Sequence, residues 1–242
     1  MLSKNELKYI QSLCQKKQRS AERLFIAEGV KLVTELLASG YPVEKIYAVN
    51  EWEAPVTDVP ITRIEAFELE KISTLQTPNQ VLVIARQQEE KGEPDLSKKL
   101  TLVLDGIQDP GNLGTIIRIA DWFGIDQIIA STDTVEYYNP KVIQSTMGSF
   151  LRVKIWYRDL ETFLAIQQVP VYGALLDGAS MYTTPVPSEG ILVIGNESKG
   201  IRESVLPFIT HAVTIPRTGK AESLNAAVAT GILLAQLKSP RS

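Results

Sequence analysis

From Leu100 to Leu237 the chain alternates short apolar runs with stretches whose apolar residues recur every three or four positions. The runs LTLVLDG, DQIIAS, RVKIWY, VYGALL, ILVIGNE and HAVTIP have the length of strands. Between them the spacing predicts helices over Leu113–Phe123, near Pro140–Met147, near Leu160–Gln168 and near Glu203–Phe208, with a last one over Ser223–Leu237. Apolar strands alternating with helices imply a parallel sheet covered on both faces, an α/β fold. In such sheets ligands bind at the carboxyl ends of the strands.

Ahead of this region the pattern is shorter. In AEGVKLVTELLASG, Val30, Val33, Leu36 and Leu37 fall at helical spacing, and Gly40 stands where a helix commonly stops. VEKIYAV and VLVIAR read as strands, which makes a small α/β domain. Charge, Gly92 and Pro94 then interrupt the apolar runs in RQQEEKGEPDLSKK. The expected organisation is a first domain over residues 1–90, a linker over 91–99 and a second domain over 100–242.

Composition narrows the chemistry. At 242 residues with 44% apolar side chains, the chain is long enough for one large domain or two small ones. Cys14 is the only cysteine and His211 the only histidine, so an internal disulfide, a cysteine-rich metal site and a multi-histidine metal site are all excluded, and His211 is expected to be structural or merely exposed. No metal is expected. The first twenty residues lack an apolar core of signal-peptide length, and no run approaches the roughly 20 apolar residues of a membrane span. These features point to a protein of the reducing cytoplasm. Net charge is −3, yet residues 1–31 hold seven Lys or Arg against three Glu. Lys4, Lys8, Lys16, Lys17, Arg19 and Arg23 could form a phosphate-facing patch or a solvated helix face.

Three loops after strands carry unusual polar residues. In DGIQDPGNLGTIIRIADWFG, Asn112 stands where it could cap the following helix, and Arg118 stands three residues before Asp121, close enough for a surface ion pair. ILVIGNESKG has the look of a phosphate loop, but Ile201 and Arg202 follow its second glycine where Lys and Ser or Thr are needed. No GxGxxG pattern occurs either, so ordinary nucleotide binding is unsupported. In IPRTGKAESLNAAVATGILLAQL, Ser223 could cap a helix rich in small residues that permit close packing, with Asn225 in its first turn.

Taken in order, DPGNLGTIIRIADWFG, VIGNESKGI and IPRTGKAESLNAAVATGILL resemble the three signature motifs of the SpoU/TrmH-type RNA ribose methyltransferases of the SPOUT superfamily. The resemblance covers residues 100–238. It reaches more weakly to LFIAEGVKLVTELLASGYPVEKIYAVN, which looks like the small L30e-like RNA-binding domain that precedes the catalytic domain in many members. It implies a parallel-sheet methyltransferase domain with a C-terminal trefoil knot. It also implies methyl transfer from S-adenosylmethionine to a ribose 2′-hydroxyl of rRNA or tRNA, by a homodimer in which the knot and the first motif meet across the interface. By match to the motifs, Ile194, Gly195, Asn196, Ile215, Pro216 and Leu224 would hold the cofactor. Asn112, Arg118, Glu197, Ser223 and Asn225 match the family's functional polar positions. A guanidinium almost never deprotonates, so Arg118 is expected to clamp the RNA and stabilise developing oxyanion character. The rival reading is a non-catalytic RNA-binding or ribosome-assembly protein that keeps the fold.

Overall fold

The computed structural model describes residues 1–89, 92–185 and 188–238. Of the expected linker and second domain, residues 91, 186, 187 and 239–242 lie outside the described residues, and residues 92–99 form neither helix nor strand. In chain order the first elements are α1 (Lys4–Ser12), α2 (Lys16–Glu22), β1 (Leu24–Glu28), α3 (Val30–Ala38), β2 (Val43–Ala48), β3 (Ile61–Arg63), α4 (Ala66–Ile72) and β4 (Val81–Arg86). They are followed by β5 (Leu100–Asp105), α5 (Pro110–Trp122), β6 (Gln127–Ser131), α6 (Pro140–Thr146), β7 (Lys154–Arg158), α7 (Leu160–Ala165), β8 (Val171–Ser180), β9 (Gly190–Gly195), β10 (His211–Thr214) and α8 (Ala226–Leu237).

The chain divides into two compact units. The first contains residues 1–89 together with 136–151, and the second contains the remaining described residues. In the first, a four-stranded sheet runs in the order β1-β4-β2-β3, with β4 antiparallel to both its neighbours and β3 parallel to β2. Gly40 sits just past α3 at φ +69°, as the sequence suggested.

The segment carrying α6, expected in the second domain, packs in the first unit for an identifiable reason. Phe25 of β1 lies 4.7 Å from the Tyr138 ring and 5.8 Å from Phe150, centre to centre. Arg19, 1% exposed, reaches Glu136 at 2.5 Å and the Leu13 carbonyl at 2.9 Å. Arg19 is therefore not part of a phosphate-facing patch: it is a buried ion-pair partner, and removing one member of such a pair leaves an uncompensated charge. Arg23 pairs with Glu89 at 2.8 Å. Lys4, Lys8, Lys16 and Lys17 stay exposed.

The second unit is built on a six-stranded sheet in the order β10-β8-β9-β5-β6-β7, every neighbouring pair parallel. All positions of β5 and β6 are buried, as continuous apolar runs require of strands covered on both faces. One core cluster joins Val103, Ile129, Ile191 and Val193 of the sheet to Leu160, Phe163 and Leu164 of α7. Among the expected helices, that near Glu203–Phe208 shrinks to a 3-10 turn at Leu206–Phe208, since Pro207 offers no helical donor. β8 departs from regular pairing: β10 residues Ala212 and Val213 face Gly173 and Ala179, so residues 174–178 bulge out between them. The Thr214 hydroxyl holds this bulge by donating to the Leu176 carbonyl at 3.0 Å.

Candidate functional site

The first loop leaves β5 after Asp105 and enters α5 through Asp109, whose side chain accepts the Asn112 amide at 2.8 Å, with Pro110 in the first turn. Asn112 is thus not the cap that its position suggested. It lies inside the helix, and its carboxamide is free for other partners. Its Nδ2 donates to Glu197 Oε1, and its Oδ1 accepts from Asn225 Nδ2 at 2.8 Å. Asn225, in turn, caps α8 by accepting the Ala227 and Val228 amides at 3.0 and 3.2 Å. That is why α8 starts at Ala226, and why Ser223 is neither a cap nor helical. Glu197, Asn112 and Asn225, one from each loop, therefore form a single hydrogen-bonded chain.

Beside that chain a cavity of about 800 Å³ opens at the carboxyl ends of β9 and β10, against the middle of β8. All six residues expected to hold a cofactor line it: Ile194, Gly195, Asn196, Ile215, Pro216 and Leu224. Glu197 and Ser223 line it too, whereas Asn112, Asn225 and Arg118 do not. Arg118 is exposed on α5 and makes no hydrogen bond or ion pair among the described residues. The anticipated pairing with Asp121 does not form, because Arg152 takes that carboxylate at 2.8–3.1 Å.

The bulge of β8 supplies a wall that the motifs did not announce, with Leu175, Leu176 and Asp177 on the cavity. Its only sequence trace is that VYGALLDGAS is longer than the strand inferred from VYGALL. Gly195 is needed for a specific reason: a Cβ there would run into the main chain of Gly200 and Ile201. The donor set suits a bent nucleoside with a charged tail. Leu175, Ile194, Ile215 and Leu224 offer apolar walls to a purine, Asp177, Glu197 and Glu222 oppose positive charge, and Lys199 and Arg217 oppose a carboxylate. The cavity volume falls within the roughly 300–1,000 Å³ of small-molecule sites. Among the described residues there is no group of three or more His, Cys, Asp or Glu that could hold a metal ion, and no helix is long and apolar enough to cross a membrane.

Asn112→Ala is expected to remove the bridge between Glu197 and Asn225 while sparing the Asp109 cap. One part-buried and one exposed hydrogen bond stabilise by about 1–2 kcal/mol together. Turnover is expected to fall about tenfold beyond any loss of folded protein. Initial rates set beside melting curves check this, and a rate loss that merely follows the melting temperature would assign Asn112 to the fold alone.

Residues 99–235 match the model of the SpoU rRNA Methylase family, and residues 4–83 match the MRM3-like substrate binding domain. The 23S rRNA (guanosine(2553)-2′-O)-methyltransferase RlmP of Bacillus subtilis is 34% identical over 232 residues, covering 92% of this chain and 92% of that protein. A TrmH-family protein of Porphyromonas gingivalis superposes with a TM-score of 0.87 at 39% identity, covering 98% of both chains. The AdoMet-bound rRNA methyltransferase of Sinorhizobium meliloti superposes with a TM-score of 0.87 at 29% identity, covering 98% of this chain and 96% of that one.

Proposed function

Because the chain belongs to the SpoU rRNA methylase family, we propose that it transfers a methyl group from S-adenosylmethionine to a ribose 2′-hydroxyl of ribosomal RNA, in the cytoplasm. The observation that carries this reading is the cavity, on which all six cofactor positions inferred from the motifs converge beside the Glu197–Asn112–Asn225 chain. The intact polar set argues against a non-catalytic RNA-binding protein. RlmP acts on guanosine 2553 of 23S rRNA, as its name says, so large-subunit RNA is the first substrate to try.

When bound, S-adenosylmethionine supplies an electrophilic methyl group on sulfonium. The residues of the chain supply the alignment that an in-line displacement needs. Arg118 clamps an RNA phosphate and stabilises negative charge growing on the 2′-oxygen. Asn112, Ser223 and Asn225 orient the ribose and the loops around it, and Glu197 organises the second loop. Calorimetric titration with S-adenosylmethionine, followed by labelled methyl transfer to 23S rRNA and to tRNA with mapping of the modified nucleotide, tests the reading. Binding and a methylated rRNA ribose are expected. An absence of binding would overturn the proposal, and modification of tRNA alone would overturn the substrate.

The working form proposed is a homodimer. Trp122 is 85% exposed and Val228 50% exposed. Trp122 shares one face of α5 with Thr115 and Arg118, at i, i+3 and i+7, and α8 leaves Val228 and Ala235 exposed although nearly all its residues are apolar. A helix apolar all round calls for partners all round, and a second copy of this face would provide them. It would also bring Arg118 to the cavity of the other subunit. Trp122→Lys is expected to give a monomer in analytical ultracentrifugation and to lose activity with an unchanged fold. A wild-type protein that sediments as a monomer at micromolar concentration would remove the dimer. The finer fold reading is a trefoil knot formed by residues of about 173–238, supported by the return of the chain from edge strand β10 to pack α8 on α5. Residues 1–90 are read as an L30e-like RNA-binding domain that offers Lys4, Lys8, Lys16 and Lys17 to RNA phosphates.

A further inference from the structure

β5 ends on Asp105, a carboxylate 1% exposed. A charge buried that far needs donors or an opposite charge close by. One residue supplies both. The Arg202 main-chain amide donates to Asp105 Oδ2 at 2.8 Å, and its Nε lies 2.5 Å from Oδ1. The far end of the same guanidinium reaches on to Asp133, beyond β6, at 3.0 and 3.1 Å. Partial burial works against the Arg202 charge, but the hydrogen bond to Asp133 and the Asp105 charge outweigh it and hold the guanidinium above its ordinary pKa.

Neither Asp105, Asp133 nor Arg202 lines the cavity, yet all of residues 196–201, just ahead of Arg202, do. That loop is pinned at its start as well. Asn196 and Gly200 exchange main-chain hydrogen bonds at 3.0 and 2.8 Å, and Asn196 Nδ2 donates to the Gly106 carbonyl at 2.7 Å. Its tip carries Glu197, which Asn112 holds. Arg202 thus closes the loop from behind, tying its end to two strand ends at once. Stability alone gives a weak reason for such a device, because a buried ion pair is often no better than apolar packing of the same volume. Geometry gives a stronger one, since a displacement of about 1 Å at a binding wall can cost a large factor in function.

We propose that Arg202, held between Asp105 and Asp133, is a positioning residue that fixes the 196–201 loop against the cavity and thereby sets the affinity for S-adenosylmethionine without touching it. This rests on the functional reading above. Arg202→Met keeps the main-chain bond to Asp105 and removes the fork. Arg202→Lys keeps the charge but reaches only one carboxylate. Asp133→Asn weakens only the outer contact, on an exposed residue whose change leaves the core alone, so it remains informative even if Arg202→Met does not fold.

The test is calorimetric titration of each variant with S-adenosylmethionine and with S-adenosylhomocysteine, alongside initial rates with cofactor and RNA varied in turn. Arg202→Met is expected to raise both dissociation constants and the cofactor KM about tenfold, with the RNA KM unchanged. Arg202→Lys should fall between it and wild type, and Asp133→Asn should show a rise of about two- to threefold. A purely structural role would lower the active fraction, and hence kcat, with every dissociation constant and KM unchanged, and that result would overturn the proposal. Wild-type protein that binds neither compound would overturn the underlying reading instead.

Discussion

Arg118→Ala is expected to slow methyl transfer by about 100- to 1,000-fold, the loss seen when one preorganised donor to a developing oxyanion is removed. Its fold should be untouched. The side chain is exposed, bonds to nothing among the described residues and stands on a helix that tolerates alanine well. Surface changes of that kind stay within about ±0.5 kcal/mol, a shift of roughly 1–2 °C in melting temperature for a chain of this length. S-adenosylmethionine affinity should match wild type, because the role proposed for Arg118 is toward the RNA phosphate and the 2′-oxygen, and none of the six positions expected to hold the cofactor changes. Arg118→Lys should recover only part of the rate, since a lysine restores charge but not the planar fork. The dimer adds a sharper measurement. Mixed with a variant whose cavity is blocked but whose Arg118 is intact, the inactive Arg118→Ala protein should regain activity through hybrid dimers. No recovery in verified hybrids would place the arginine with its own subunit's site, and wild-type turnover in Arg118→Ala alone would remove it from the chemistry.

The two units differ in how much of them could be read from residues alone. The strands of the second are legible because β5, β6 and β9 are buried on both faces, so nothing interrupts their apolar runs, and turn residues bracket each one. The six positions expected to hold a cofactor are legible as motifs, and their convergence on one cavity follows from their place in or beside the loops that leave β9 and β10. The starts of α6 and α7 fall where the sequence puts them, at Pro140 and Leu160, but those of α5 and α8 were not legible. Asp109 and Asn112 are equally good caps, as are Ser223 and Asn225, and only the backbone path decides which side chain meets the free amides. Arg19 reads as one cation in a basic stretch, and its partner Glu136 lies 117 residues away. That one pair, with Tyr138 and Phe150, draws 136–151 into the first unit. The clamp on Arg202 is equally non-local: three residues in three segments, none remarkable in its own neighbourhood. That Arg118 does not line the cavity of its own chain is likewise something periodicity does not report.

Gly195→Ala is expected to abolish measurable S-adenosylmethionine binding and to lower stability as well. A Cβ at this position would overlap the main-chain carbon of Gly200 and the amide nitrogen of Ile201. A flexible side chain could swing aside, but main chain closed by the Asn196–Gly200 pair and by Arg202 cannot yield without moving the whole loop. Overpacking of this kind costs about 1–3 kcal/mol, and each kcal/mol lowers the melting temperature by roughly 2–4 °C at this length. The larger effect falls on binding. Because residues 196–201 form one wall, a loop pushed outward by a methyl group parts from the wall built by Ile215, Pro216 and Leu224. Gly231→Ala is the matched control, since a Cβ there meets only Ile119 Cδ1 at 3.6 Å, an ordinary contact, and Gly231 does not line the cavity. It should bind like wild type and melt no lower. Calorimetry and thermal melts on the two variants therefore separate the loss of a glycine from the loss of space. Wild-type affinity in Gly195→Ala would mean that the loop can move without cost, and the tight approach of the two main-chain segments would then have no part in holding the cofactor.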